Sequence, residues 1–516
     1  MDEPPPQVPD PKPVSPRTFF ISRWWFLRAL GLIYLLAFLS LAPQIDGLLG
    51  GDGLLPAARH LRFLRAHAGW EAVYAAPSLL WLRPDTTFLH ALCGAGIGAS
   101  LLLLIGAAPR LAALLCWALY LSMVSVGGEF FAYQWDGLLL ETGLVAVFLA
   151  PGGLWPGRYR GAPSAWTFVW LGRLVLVKLM LGSALGKLLG GDRTWPGLTA
   201  LQHHFETQPL PTLPAWWMHQ LPAWALQTGA GLLLLIELSA PLLIFGPRRV
   251  PALAAIGFGV WFILISITGN HAFLNLLAVA LCLLLVDDAS WHALRGRPPD
   301  YDRAAEAMAR AKPVWRVALH GMVGATMALL SLFAALDKVL PVTWMAGPPR
   351  MLVRAAGPLR SFNAYGMFTR MTPVRQEIII EGSLDGERWT PYEFRWKPGD
   401  PGRAPGFVAP FQPRLDWQMW FEAASPLGTS RWFDRLLTRL LEGDRTTLRL
   451  LEADPFPLWP PRYIRAVLYE YHFTSEAERR KDGHWWRREK VRVLVPARAL
   501  PPEDRPDRLP RGVLRA

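Results

Sequence analysis

The chain has 516 residues, 52% of them hydrophobic and only 18% charged, with a formal net charge of +13 and a mean hydropathy of +0.22. Length alone would accommodate about three soluble domains, but the apolar residues fall in blocks near the roughly 20 residues that cross a bilayer, which excludes an ordinary soluble protein. Part of the basic excess sits in short loops between those blocks, where it reports topology; with no helix-turn-helix or RNA-binding signature beside it, no nucleic-acid partner is expected.

In chain order, residues 1–20 begin with MDEPPPQVPDPKPVSP, a Pro-rich leader read as disordered and not as a signal peptide. Nine membrane spans are expected at 24–45, 88–107, 111–127, 136–151, 166–189, 223–246, 250–268, 271–286 and 314–336, so that 21–340 forms a transmembrane bundle. The first span is too long for a signal h-region and stays as an anchor. Cys93, Cys116 and Cys282 lie inside spans with no CxxC spacing, which argues against a thiol redox centre or a disulfide framework.

A cytoplasmic N-terminus puts Arg110, Arg158 with Arg160, Arg248 with Arg249, and the stretch from Arg295 to Lys312 in inner loops. The outer loops at 128–135 and 269–270 carry no Lys or Arg, and the one at 190–222 carries only Arg193. That distribution is what the positive-inside rule requires. The long first outer loop, with Arg59, Arg62, Arg65 and Arg83, is the exception, and an amphipathic helix is expected there. An odd number of spans then places the C-terminus outside the cytoplasm.

Between spans five and six lies HHFETQPLPT, residues 203–212, polar and proline-stiffened in a greasy chain. Trp195, His203, His204, Glu206 and Gln208 from this loop, with Asn270 and His271 after span seven, are expected to gather on the outer face. Adjacent histidines point apart and nothing has HExxH spacing, so a hydrogen-bonded loop is read here and not a metal site. Neither a P-loop nor a dinucleotide fingerprint is present, nor is a GxSxG elbow; no cofactor is expected.

Ionisable residues inside spans are costly and face a partner or a cavity. Asp136, Glu141, Arg173, Lys178, Lys187 and Glu237 are of this kind. Depth matching at about 1.5 Å per residue pairs Arg173 with Glu237, and Lys187 with Asp136 or Glu141. Two readings stay open: helix-to-helix ion pairs with snorkelling lysines, or a polar pocket opening outward with Lys187 at its base and the 203–208 loop as its lid.

After the last span, residues 345–498 read as a β-rich α+β domain. EIIIEG, SLDGER and WTPYEFRW form a hairpin around an Asp-Gly turn. Helices follow in DWQMWFEAA, RWFDRLLTRLLEG and TTLRLLEA, and RYIRAVLYEYHF and KVRVLV close the sheet. NAYGMF, 363–368, is placed to pack this domain onto the bundle. In 412–421, Trp417 and Trp420 share a helix face at i, i+3. That face is either core or, with Arg414 and Asp416, a partner-binding patch. Residues 499–516 are a flexible basic tail.

Several segments together resemble the lipase maturation factor family: FLRALGLIYLLAFLSLAPQIDGLLGGDGLLPA (26–57), QWDGLLLETG (134–143), GDRTWPGLTALQHHFETQPLPT (191–212), LIFGPRR (243–249) and FVAPFQPRLDWQMWF (407–421). The resemblance runs from about residue 20 to 495. It implies a multi-pass membrane protein whose C-terminal domain lies outside the cytoplasm and engages an immature exported protein, lipase-like; the candidate patch of Arg414, Asp416, Trp417 and Trp420 is then the expected place of contact. The Arg/Ala/Pro-rich composition reads as bacterial, which implies the cytoplasmic membrane with a periplasmic C-terminal domain, or the endoplasmic reticulum membrane if eukaryotic. Membrane lipids are the other expected partner, and the oligomeric state is not set. A narrower likeness of SALGKLLGGDRTWPG, 183–197, to the vitamin-K-dependent carboxylase and HTTM group implies a base at Lys187, an enzyme alternative. A transporter using Arg173 and Glu237 is the third reading.

Overall fold

The structure, a computed structural model, describes residues 17–158, 166–247, 249–294, 313–339, 347–425 and 428–501. Leader residues 1–16, Arg160, Arg248, the basic stretch 295–312 and tail residues 502–516 lie outside the described residues. The N-terminal region is helical: α1 Phe20–Leu41, α2 Thr86–Ile105, α3 Pro109–Val124, α4 Gln134–Leu149, α5 Trp166–Leu189, α6 Ala200–Thr207, α7 Leu213–His219, α8 Ala223–Ile244, α9 Val250–Thr268, α10 Leu274–Cys282 and α11 Val314–Val339.

Among the described residues, six helices (α1, α2, α5, α8, α9, α11) are long and apolar enough to span a bilayer, and a seventh crossing is added if the pair Leu274–Leu285 and Asp288–Leu294, bent by 97°, counts as one span. The expected nine is therefore not confirmed. Helices α3 and α4 have 16 residues each, about 24 Å of rise against a hydrocarbon core of about 30 Å. Most of α4 is buried in protein, so its length is set by neighbouring helices and not by lipid.

Helices α5 and α9 begin and end where their apolar runs do. Helix α1 instead starts four residues before the expected 24. Its first amides are capped from far along the chain: the Asp288 carboxylate accepts from Phe20 N at 2.9 Å and Ile21 N at 2.8 Å, the arrangement a helix N-terminus favours. Helix α1 also packs closely on α2, since a Cβ at Gly31 would lie 2.5 Å from the Leu104 nitrogen. Small residues at such crossings let backbones approach.

The two ends of the bundle differ. At the end where α1 begins, Arg23 donates to the Arg158 carbonyl at 3.3 Å and Arg110 to that of Ala150 at 2.9 Å. Where α1 ends, Ser40 Oγ and Gln44 Nε2 donate to the Gln412 carbonyl at 3.2 and 2.8 Å. The C-terminal region thus caps the end opposite the first residues of α1. The loops expected on one side all meet it: Asp52 pairs with Arg439 at 3.1 Å, Gln418 donates to the Glu129 carbonyl, Arg375 reaches Glu206, and Asn270 reaches Gly406.

The C-terminal region contains an antiparallel sheet in the order β2-β1-β3-β4, with β1 Arg375–Ser383, β2 Thr390–Pro391, β3 Tyr463–Phe473 and β4 Trp486–Arg498. The hairpin forms, but its returning strand is two residues long, not the whole of WTPYEFRW. Pro391 has no N–H to offer the ladder, and the chain leaves the edge there. Helices α12, Arg414–Ala423, and α13, Arg431–Glu442, occupy the two longer amphipathic stretches. TTLRLLEA yields only the single turn Arg445–Leu448. The apolar stripe Trp432, Phe433, Leu436, Leu437, Leu440 and Leu441 is buried, and the Ser430 hydroxyl caps α13 by accepting from Phe433 N at 3.3 Å.

Candidate functional site: the seam and the cavity beneath it

HHFETQPLPT is the centre of the seam between bundle and sheet. Its first half completes α6 and its second half runs extended to a bridge between Pro211 and Gly269. A chain emerging from a helix and turning over a bundle exposes backbone carbonyls that need donors. Arg375, at the start of β1 and fully buried, supplies them. Its guanidinium donates to the carbonyls of Glu206 at 2.8 Å, Gln208 at 2.5 Å and Pro209 at 2.7 Å. The same guanidinium holds Glu377 Oε1 at 2.6 Å, and Lys397 pairs with Glu377 Oε2 at 2.9 Å. Trp420 Nε1 donates to the Thr207 carbonyl at 2.8 Å. The Glu206 carboxylate accepts from Phe473 N at 2.7 Å and meets His472 Nδ1 at 3.1 Å. Gln208 donates to the Thr268 carbonyl at 2.8 Å. Asn270 donates to Gly406 and accepts from Val408 and Ala409. His203, half-buried, contributes its carbonyl to Thr207 Oγ1.

The six intramembrane charges do not form one polar pocket. Asp136 takes the Arg414 fork, Nη1 to Oδ2 and Nη2 to Oδ1 both at 3.0 Å, with the Tyr120 hydroxyl donating to the same carboxylate. Glu141 accepts from Lys178 Nζ at 2.6 Å, Ser331 Oγ at 2.6 Å and Tyr365 Oη at 2.5 Å. Lys187 is held by both oxygens of Glu237, at 2.6 and 2.8 Å. Arg173 donates to the carbonyls of Leu284 and Leu285 at 3.0 and 3.2 Å. The expected pairs Arg173–Glu237 and Lys187 with Asp136 or Glu141 are thus replaced by Lys187–Glu237, Lys178–Glu141 and Asp136–Arg414.

The physical reason is side-chain direction. The inner ends of the two helices are level, since Trp170 near the start of α5 stacks on Phe245 at the end of α8, centroids 5.8 Å apart. Side chains lean toward the N-terminus of their own helix, so Lys187 leans inward and Glu237 outward, and the two meet across a difference in depth. Asp136 and Glu141, five residues apart on α4, point about 140° apart and so serve different partners. The segment 363–369 fills the space between: Lys178 Nζ donates to the Asn363 carbonyl at 2.9 Å, and a Cβ at Gly182 would sit 2.7 Å from the Tyr365 carbonyl.

Lys187 and Glu237 do line a cavity, of about 530 Å³, whose roof is α6 and whose walls come from α5, α8 and α9. Apart from that ion pair it is mainly Leu, Ile, Phe, Trp and Met, so the pocket is apolar where a polar one was expected. The Lys187 ammonium lies 4.9 Å over the Trp195 ring, and Trp195 Nε1 donates to the Phe368 carbonyl at 2.8 Å. The Phe368 ring stands edge-on to both His204 and His271, centroids 4.7 and 5.3 Å away.

Desolvation, with His271 and Lys187 adding to it, pushes the His204 pKa down to about 3. The unfolded chain therefore takes up this proton first. The stability that neutral His204 supports is intact above its ordinary value of 6.5 and lost as pH falls toward 3. The thermal midpoint should drop over that window, and less steeply in His204→Leu; equal slopes would contradict the assignment. Enclosure also lowers His219, which titrates in the same direction.

Of the residues expected to face a client, Arg414, Asp416 and Trp417 are buried, and Trp420 is half-buried against Thr207. Asp416 accepts from the Trp396 and Lys397 amides at 2.8 and 3.0 Å. Arg414, Asp416 and Trp417 are interior to the seam and present no surface in this structure, while Trp420 keeps part of its ring exposed. Sequence reasoning missed Arg375, Glu377, Lys397, Tyr120 and Tyr365. Only the Arg-x-Glu spacing at 375–377, two charges on one face of a strand that continues Ile-Ile-Ile, hinted at a buried pair.

Residues 21–293 match the lipase maturation factor transmembrane domain, and residues 361–496 match the lipase maturation factor C-terminal domain. The chain belongs to the lipase maturation factor family. It is 35% identical to lipase maturation factor 2 of Gallus gallus, over 91% of this chain and 80% of that protein. Identity to lipase maturation factor 2 of Homo sapiens is 34%, covering 93% and 83%, and to lipase maturation factor 1 of Bos taurus 33%, covering 93% and 89%. No solved structure matches. Both sides of the seam fall within the matched ranges, Asp136, Glu206 and Asn270 in one and Arg375 and Arg414 in the other. With its apolar helices, this family member is a multi-pass integral membrane protein. The comparisons give no support to the enzyme reading at Lys187 or to the transporter reading.

Proposed function

We propose that the chain is a membrane-anchored maturation factor for lipases, binding an immature exported lipase and favouring its active fold. The observation that carries this is the family match across both the bundle and the C-terminal region. The C-terminal region works outside the cytoplasm, in the bacterial periplasm, or in the endoplasmic reticulum lumen if the cell is eukaryotic. The arginines at 110, 158 and 249, at the end where α1 begins, favour that end as cytoplasmic. Since Arg414, Asp416 and Trp417 are interior, the client surface falls to the exposed aromatics near them, Phe407, Phe411 and Phe421. Exposed aromatics of this kind are favoured at protein interfaces.

The test is co-expression with a secreted lipase in cells lacking this protein. Secreted lipase activity should depend on the protein while lipase synthesis does not, and a photoreactive amino acid at Phe421 should capture the lipase. Unchanged lipase activity in the absence of the protein would sink the reading.

A further inference from the structure

The cavity under α6 is of a size that holds small organic ligands, and it opens sideways. Leu232 on α8, Leu264 and Ile267 on α9 and Trp217 on α7 line it and are each exposed. Its mouth therefore lies between α8 and α9 beneath α7, and α8 and α9 carry further exposed apolar side chains along their length, Leu235, Leu242, Leu253 and Ile256 among them. In a bilayer such an opening faces hydrocarbon, so the molecules standing at it are lipids, and an aqueous solute would have to cross lipid to reach it.

The interior limits what can enter. Lys187 and Glu237 neutralise each other at 2.6 and 2.8 Å; an anionic head would compete with Glu237, and a cationic one with Lys187. His204, held neutral, adds no charge. Polar valence is nevertheless left over. Among the described residues, the side chains of His204 and Asn275, both lining the cavity, have no hydrogen-bond partner, and Asn275 is 5% exposed. An amide without a partner in an apolar enclosure is unfavourable, and a ligand that hydrogen-bonds to it removes that cost.

We propose that this cavity is a lipid site that draws from the bilayer one hydrocarbon chain bearing a small uncharged head, an ester or hydroxyl, which His204 and Asn275 hydrogen-bond. The chain lies along the apolar wall between α8 and α9, and the head sits beside the Lys187–Glu237 pair under the seam. The site rests on the cavity alone and not on any client.

The full-length protein in phosphatidylcholine nanodiscs is irradiated with a monoacylglycerol carrying a diazirine in its acyl chain, and the labelled peptides are mapped. Labelling should concentrate on α6, α8 and α9 and be competed away by unlabelled monoacylglycerol. Leu264→Trp, which fills the mouth, should lose it. Leu253→Trp, on the same helix but not lining the cavity, should keep it. Asn275→Leu should weaken it. Labelling spread evenly over the lipid-facing helices, or equal labelling of the two Trp variants, would overturn the site. A fatty acid with the same diazirine chain should label poorly at neutral pH; labelling as strong as the ester's would overturn the uncharged head. None of these readouts requires a lipase, so failure of the maturation reading would leave them unaffected.

Discussion

Asp136→Leu should destabilise the protein by about 3–5 kcal/mol, the usual consequence of leaving one member of a buried ion pair without its partner. Arg414 is 1% exposed and Asp136 fully buried, and the guanidinium also lies 3.7 Å over the Phe131 ring. With the carboxylate gone, the Phe130 carbonyl and the Tyr120 hydroxyl remain as acceptors, but neither carries a counter-charge. The pair crosses the seam, so α12 should loosen along with it and become open to protease. The double variant Asp136→Leu/Arg414→Met should recover most of the loss, because apolar side chains of similar volume often replace a buried pair at little cost. Thermal midpoints of the parent, the single and the double variant in one detergent decide it. If the single variant melts like the parent, or the double variant melts below the single, the pair is not what joins the two regions.

How much of this could be read from the chain follows from how local each cause is. The bounds of α5 and α9 were legible because apolar runs end at polar or proline-containing turns. The start of α1 was not, because the carboxylate that caps it, Asp288, lies more than two hundred and fifty residues away. Five of the six charged residues inside spans meet an opposite charge and Arg173 meets carbonyls, with partners other than those that depth matching gives. Depth matching compared backbone levels, whereas side chains lean toward the N-terminus of their own helix, so Lys187 and Glu237 meet across a difference in depth. Trp417 and Trp420 share a helix face as expected, but whether that face meets protein or a client is decided by the bundle below it. Residues 203–212 were legible as a hydrogen-bonded loop. The residue that docks it, Arg375, was not, since the Arg-x-Glu spacing hints at a buried pair but not at the loop carbonyls that the guanidinium meets.

Replacing Arg375 tests that docking directly, and its expected effect is of the same size. Arg375→Leu removes the donors from three loop carbonyls, and each buried acceptor left without a partner costs about 1–3 kcal/mol. Glu377 retains Lys397 at 2.9 Å, so the loss falls on the loop more than on a stranded carboxylate. Arg375→Lys separates the two effects. It keeps the charge beside Glu377 but lacks the planar fork that reaches Glu206, Gln208 and Pro209 together. If the fork is what holds the segment, the lysine variant should melt close to the leucine one, with cleavage by added protease appearing first at 206–212. It should also release the roof of the cavity, because His204 and Phe205 sit on the same helix that Arg375 pins, and water admitted there would weaken the Lys187–Glu237 attraction. A lysine variant with the parent's midpoint and protease pattern would show that charge alone suffices and that the carbonyl contacts contribute little.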